Sequence, residues 1–189
     1  MHRFGGVLVA ALGVAHAFGD ELFLSPTATK IRTTEPRLQW IGSQHSQLWR
    51  VGFGLDNGLD GFVSRDSVSL GYNYLPAITD STPGLSFGIQ DVGKKTASGY
   101  VVLSYKYGQV GTYNQNTPFL VTMGLRTGGE GTGILSAQAP FADRFRGLVE
   151  FDRGQLTAGL DVRPVPELSL KWMFRSSETL LSATWFVKF

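Results

Sequence analysis

Ser43, His45 and Ser46 lie within four residues of one another and supply the residue types of a nucleophile and its general base. Acyl transfer also needs an acid to orient that base and donors for the oxyanion. Spacing places neither beside His45, so the trio reads first as a polar turn. Gly88-Ile89-Gln90-Asp91-Val92-Gly93-Lys94-Lys95 comes within one residue of a phosphate-binding loop. That loop requires Ser or Thr where Lys95 stands, and a helix after it; an alternating, strand-like segment follows instead. Glu150 and Asp152 are two apart and could share a strand face as a glycosidase pair does. Asp152, beside Arg153-Gly154, reads instead as turn chemistry. There is no cysteine, which removes disulfides and thiolate metal sites. His45 is the one histidine left once the leader described below is gone, so no His/Cys metal site and no cofactor is expected.

Arg50, Lys106, Arg126, Glu150, Asp161, Lys171 and Lys188 have a different significance. Each falls on the polar phase of a segment in which apolar and polar residues alternate. Brought to one interior, these cations and acids would form a salt-bridge network filling a lumen, and that structural role is the expected one. The cationic excess also fits a second reading, a pore that attracts anionic solutes or polysaccharide.

The elements that position these groups are short alternating segments, with side chains of period two, from residue 37 onward. They run over Arg37 to Gly42, Leu48 to Leu55, Gly58 to Ser64, Ser67 to Leu75, Leu85 to Asp91 and Ser98 to Tyr107. Pro118 to Thr127, Gly133 to Gln138, Arg144 to Phe151, Gln155 to Arg163, Glu167 to Arg175 and Leu180 to Phe189 follow. Asp56-Asn57-Gly58 marks a hairpin, with Asn-Gly suited to a type I′ turn. Gly133 to Gln138 is the least regular segment, but an up-and-down barrel with both ends on one side needs an even number. The expectation is therefore twelve strands, with ten as the alternative. The segments are nearer eight residues than the 9–11 of a tilted spanning strand, which implies a thin apolar belt. No gap is long enough for a plug; the longest are Pro76 to Gly84 and Gly108 to Thr117.

One face of these segments carries Trp49, Val51, Phe53 and Leu55, then Val101, Leu103, Tyr105 and Tyr107, then Leu168, Leu170, Trp172 and Phe174. The other carries the charges above with Gly52, Gly54, Ser69, Gly71, Asn73 and Gln90. Alternation alone leaves open which face is inside. A lipid-binding soluble barrel would bury the apolar face, and an outer-membrane barrel would display it. Aromatics near strand ends and glycine on the polar face favour display.

Composition agrees with an envelope protein. Charged residues make up 17% of the chain, against roughly 25% in soluble domains. Met1-His2-Arg3, the apolar run Phe4 to Val14 and the small-x-small triplet Ala15-His16-Ala17 have the order of a signal peptide. The run is shorter than the ~20 residues of a spanning helix. Cleavage is expected after Ala17, leaving residues 18–36 as a periplasmic lead-in and 37–189 as the barrel. Taking Arg3 from the 17 Lys and Arg leaves 16 against 15 acids, a net charge of +1 that gives no reason to expect nucleic acid. Leu181, Ala183, Trp185, Val187 and Phe189 alternate up to the last residue. That ending resembles the assembly signal of bacterial outer-membrane barrels, with Trp185, Val187 and Phe189 as its main residues. The closing strand is expected to pair with the segment near Leu38 and Trp40.

Three further stretches resemble YjbH-like outer-membrane proteins. Leu24-Ser25-Pro26-Thr27-Ala28 looks like their Pro-Thr-Ala entry segment. Gly88-Ile89-Gln90-Asp91-Val92-Gly93 with Gly99-Tyr100-Val101-Val102-Leu103-Ser104 resembles their G-x-x-D-x-x-G and Y-x-V-x-S strands. Leu148-Val149-Glu150-Phe151-Asp152 with Ala158-Gly159-Leu160-Asp161-Val162-Arg163-Pro164 resembles their E-[YF]-D hairpin and its return strand. The resemblance implies a role in exopolysaccharide production and export. It brings no catalytic residues. The chain is far shorter than that family, with Lys94-Lys95 in the loop and Tyr105 before Lys106.

The combined expectation is an all-β chain: a transmembrane, antiparallel up-and-down β-barrel of the bacterial outer membrane, without enzymatic activity. It would serve envelope structure or surface-polysaccharide secretion. Its partners would be outer-membrane lipid, the barrel-assembly machinery and polysaccharide-export proteins. A passive pore is the alternative, and a lipid-modifying barrel enzyme centred on His45 is a third reading.

Overall fold

Short alternating segments have no helical stripe to bury, and their backbone donors and acceptors must be met by neighbouring strands. In the computed structural model they are met around a complete ring. The structure describes residues 26–27, 35–75, 77, 82–109, 118–128, 132–142 and 144–187. Twelve strands follow in chain order: β1 (Arg37–Gly42), β2 (Gln47–Gly54), β3 (Leu59–Ser64), β4 (Val68–Leu75), β5 (Gly84–Val92) and β6 (Ser98–Gln109). They continue with β7 (Pro118–Thr127), β8 (Gly133–Ala142), β9 (Phe145–Asp152), β10 (Gln155–Val165), β11 (Leu168–Arg175) and β12 (Glu178–Phe186). Each pairs antiparallel with its sequence neighbours, and β1 pairs with β12, so the barrel is closed. The seam sets Leu38 against Trp185 and Trp40 against Ala183. The described residues contain no helix.

The least regular segment is a full strand. β8 runs 10 residues and carries Pro140 within it. Proline lacks a ladder donor and is tolerated in strands at bulges, and the β8–β9 register does shift between Pro140 and Ala142. Several strands outrun the eight-residue estimate: β6 has 12 residues and β10 has 11. These two outrun the expected segments because the ladder continues past their alternating part: Gln109 pairs with Pro118 and Val165 with Leu168, each beyond a shift in register.

One turn also differs. Gly58 has φ 92° while Asn57 is not among the residues with positive φ. The Gly58 amide donates to the Leu55 carbonyl at 3.2 Å. This is a type I turn closed by a left-handed glycine, not the I′ turn read from Asn-Gly. The I′ pair is Arg153-Gly154, with φ 55° and 73°.

Up-and-down order puts the start of β1, the end of β12 and the turns 55–58 and 166–167 at one end, here the terminal end. The turns 43–46, 65–67, 93–97, 153–154 and 176–177 form the opposite, turn end.

The apolar phase faces outward. Trp49, Tyr74, Leu125 and Trp172 are about half exposed, at 49%, 60%, 61% and 53%. The polar phase faces inward: Gln39, Ser104, Thr122, Asp161 and Thr184 are each 0% exposed, so water has no access to them. Aromatic pairs lie towards both ends. Trp40–Trp49 and Trp172–Phe174, with ring centroids 6.5 and 5.3 Å apart, lie towards the turn end. Tyr105–Tyr107 and Phe141–Phe145, at 6.4 and 6.1 Å, lie towards the terminal end.

Candidate functional site

Among the described residues, chemistry-bearing side chains converge in the interior. Its strongest feature is a clamp near the turn end. Arg126, on β7, donates from Nε to Asp152 Oδ1 at 3.0 Å and from Nη2 to Asp152 Oδ2 at 2.6 Å. Its Nη1 donates to Gln90 Oε1 at 2.7 Å and Ser98 Oγ at 2.6 Å. The side chains of Arg126 and Asp152 are 1% and 9% exposed. A planar guanidinium bound through both edges is held in one orientation. The clamp thus ties β5, β6, β7 and β9 together. A second tie runs beside it: Arg153 Nη2 donates to Asp91 Oδ2 at 2.6 Å. Both of those residues have left-handed backbone, each with φ 55°. Asp152 is therefore not only a turn residue. It ends β9 with its carboxylate turned inward, and its position two residues after Glu150 carried that signal.

Further into the barrel Asp161 is enclosed by cations. Asp161 accepts from Ser169 Oγ at 2.6 Å and lies 3.5 Å from Arg163 Nε. Its register neighbours on either side are Arg146 and Lys171. Glu150 is buried between Ser136 and Thr157 on the adjacent strands. Arg50 donates to the Gln39 amide oxygen, and Gln39 Nε2 donates to Ser182 Oγ at 3.1 Å. Lys106 is half-buried on the inward phase of β6, in register with Leu120. Lys188 and Phe189 lie outside the described residues, as do the proposed leader and most of the lead-in. Trp185 faces outward, and the Val187 amide donates to the Pro36 carbonyl at 2.9 Å, extending the seam. The inward phase also holds Arg37, Arg146 and Arg163, all outside the network expected from sequence.

The interior is not uniformly polar. Ile41, Leu148, Met173 and Leu180 form a buried cluster, with Leu48 packed against it. Phe186 is 1% exposed. Its ring lies between the guanidinium groups of Arg37 and Arg163, 5.3 and 5.4 Å from the centroid. It closes the terminal side of the β1–β12 seam.

Inward glycines seat aromatic rings against the wall. Gly71, Gly88 and Tyr100 are in register across β4, β5 and β6. A Cβ at Gly88 would meet the Leu70 carbonyl oxygen and stand 2.7 Å from the Tyr100 hydroxyl; one at Gly71 would stand 2.5 Å from it. Phe62 lies over Gly52 in the same way, with the Arg50 guanidinium 4.3 Å from its ring. Gly88→Ala should therefore cost about 1–3 kcal/mol, the range for overpacking a filled interior. Urea midpoints measure it. Pairing it with Tyr100→Ala should recover only part, because the Leu70 backbone remains in the way; an unchanged midpoint for the single variant would mean the seat has slack.

The residues of catalytic type lie in a turn and along β5. Ser43 Oγ accepts from the His45 and Ser46 amides, both at 3.2 Å, and lies 3.2 Å from Ser46 Oγ. Among the described residues no hydrogen bond joins the His45 imidazole to either hydroxyl. Gly88 to Lys95 lies on β5 and its turn into β6. Among the described residues no three His, Cys, Asp or Glu side chains are placed to hold a metal. At the turn end Lys94 Nζ lies 3.2 Å from Asp66 Oδ1. Hydrogen bonding from Lys94 holds the exposed Asp66 carboxyl below its ordinary value of 3.8. That tie is present above pH about 4 and is lost as pH falls through the depressed value.

Comparison of the chain with family models, curated proteins and solved structures finds no match.

Proposed function

We propose that this chain is a closed β-barrel of the bacterial outer membrane, without enzymatic activity, that serves envelope structure or surface-polysaccharide secretion. The observation that carries the membrane setting is the inversion of polarity. Apolar side chains cover the outside between aromatic pairs at both ends, while Gln39, Thr122, Asp161 and Thr184 are sealed inside. In water such an exterior would far exceed the few hundred Å² of apolar patch that soluble monomers expose. In a bilayer it is the required surface, and ring closure leaves no unpaired strand edge in hydrocarbon. Outer-membrane lipid and the assembly machinery are then its obligatory partners. The polysaccharide role rests on the resemblance of the Leu24–Ala28, Gly88–Ser104 and Leu148–Pro164 stretches alone.

The test is expression with the leader in a bacterium that has an outer membrane. The protein should fractionate with that membrane, need detergent for extraction and run at a heat-dependent position on a gel. Full solubility without detergent would overturn the reading. A passive anion pore is the second reading, favoured by Arg37, Arg146, Arg163 and Lys171 within the interior. Sealed interior residues and the Arg126 clamp favour no steady conductance in planar bilayers. Stable anion-selective steps would transfer the proposal to the pore. His45→Ala should leave membrane lipids unchanged; altered lipids would revive the enzyme reading.

A further inference from the structure

Charge at the turn end is concentrated where two hairpins meet. The turn after β3 carries Arg65 and Asp66, and the turn after β5 carries Gly93, Lys94 and Lys95. They are packed together: Lys94 bridges to Asp66, and a Cβ on Gly93 would stand 3.1 Å from the Asp66 carbonyl oxygen. Gly93 has φ 103°, a conformation that favours glycine, so the turn that presents the two lysines is defined by its backbone. Ser64 Oγ donates to Asp66 Oδ1 at 3.2 Å and steadies the facing turn. Lys94 is answered by Asp66. Arg65 and Lys95 are exposed, and among the described residues neither has a hydrogen-bond or ion-pair partner. At the terminal end, by contrast, exposed Arg144 donates to the Pro164 carbonyl at 2.9 Å.

Directly below these cations the outer surface is apolar. Val63, Val68 and Val92 are 44%, 37% and 43% exposed, and Val68 and Val92 are in register. A ligand touching both zones must carry a hydrocarbon part and an anionic head. We infer that Arg65, Lys94 and Lys95 form a docking site for a phosphate-bearing lipid head group, with the acyl chains lying on the Val63–Val68–Val92 surface. The inference rests on the membrane setting proposed above. Cations at a membrane surface attract anionic lipid, and the attraction is screened by salt. Two unpartnered cations beside a neutralised pair leave a local excess that a phosphate would meet. Arg65 offers the planar fork and Lys95 the point charge that phosphate recognition uses.

The experiment uses the full barrel purified in uncharged detergent. Binding is measured by native mass spectrometry for a diphosphorylated glycolipid, its dephosphorylated counterpart and inorganic phosphate. The parent should retain the phosphorylated lipid roughly tenfold better than the dephosphorylated one, as expected for two surface cations. Arg65→Gln with Lys95→Gln should remove that preference while keeping heat-dependent gel mobility. Raised salt should weaken binding to the parent far more than to the double variant. Equal retention of the two lipids by the parent, or an unchanged preference in the variant, overturns the inference. Inorganic phosphate competing at the lipid's own concentration would also overturn it, because the apolar surface would then contribute nothing. Solubility of the parent without detergent is a separate result that sinks the membrane setting itself. Detergent dependence without lipid preference sinks only the docking site.

Discussion

Arg126→Met should lower the stability of the barrel by about 3–5 kcal/mol, the cost of stranding a buried charge. Removing the guanidinium leaves the Asp152 carboxylate, the Gln90 amide and the Ser98 hydroxyl inside without the donor that all three accept from. Water cannot easily replace it, since the two charged side chains are 1% and 9% exposed. Asp152→Leu added to Arg126→Met should recover much of the loss, because two apolar groups of similar volume strand no charge. Urea unfolding of the detergent-solubilised or lipid-refolded protein, followed by tryptophan fluorescence, gives the midpoints. If the single variant unfolds with the parent, the clamp contributes no net stability and its charges are better solvated than their burial implies. Loosening of the turn end should also show in bilayers: intermittent conductance in Arg126→Met, absent from the parent, would identify the clamp as what keeps that end shut.

Phe186→Ala should be about as costly, roughly 3–5 kcal/mol for truncating a buried phenylalanine. The ring is 1% exposed and lies between Arg37 and Arg163. Truncation opens a cavity and also removes two cation–π contacts, each worth about 0.5–2 kcal/mol depending on desolvation. It does so at the seam, where Arg37 and Phe186 are in register. Phe186→Leu keeps most of the volume and loses only the ring electrons, so it should fall between parent and alanine. The same unfolding experiment applies, with limited proteolysis as a second readout, because a loosened β12 should be cut before the rest of the barrel. Equal midpoints for the alanine variant and the parent would show that the seam is held by its backbone ladder alone.

Both effects depend on side chains that alternation sorts only partly. The phase of each segment determined that Arg126, Glu150, Asp161 and Lys171 share a face, because side-chain period is fixed at two by strand geometry. It could not determine that Arg126 takes Asp152 rather than Glu150, since partners two strands away depend on shear and curvature. In sequence Asp152 reads as a turn residue because Arg153-Gly154 follows it. Phe186 sits on the polar phase of β12, and only the neighbouring Arg37 and Arg163 explain an aromatic ring there. Asn57-Gly58 marks the place of its turn but not its type, because several turn geometries accept Asn before a left-handed glycine.

By itself the sequence determined the all-β class, the twelve segments, the polar and apolar faces and the pairing of the last strand with the first. These follow from local periodicity, turn residues and parity. Tertiary structure decided which face is inside, because alternation is symmetric with respect to inside and outside and only the direction in which the sheet curls, with the apolar face convex, breaks that symmetry. It also decided which cations are answered: Arg126 by Asp152 across two strands, Lys94 by Asp66 across two turns, and Arg65 and Lys95 by none among the described residues. Pairing of charges is a matter of distance in space, and residues 126 and 152 become neighbours only once the barrel has closed around them.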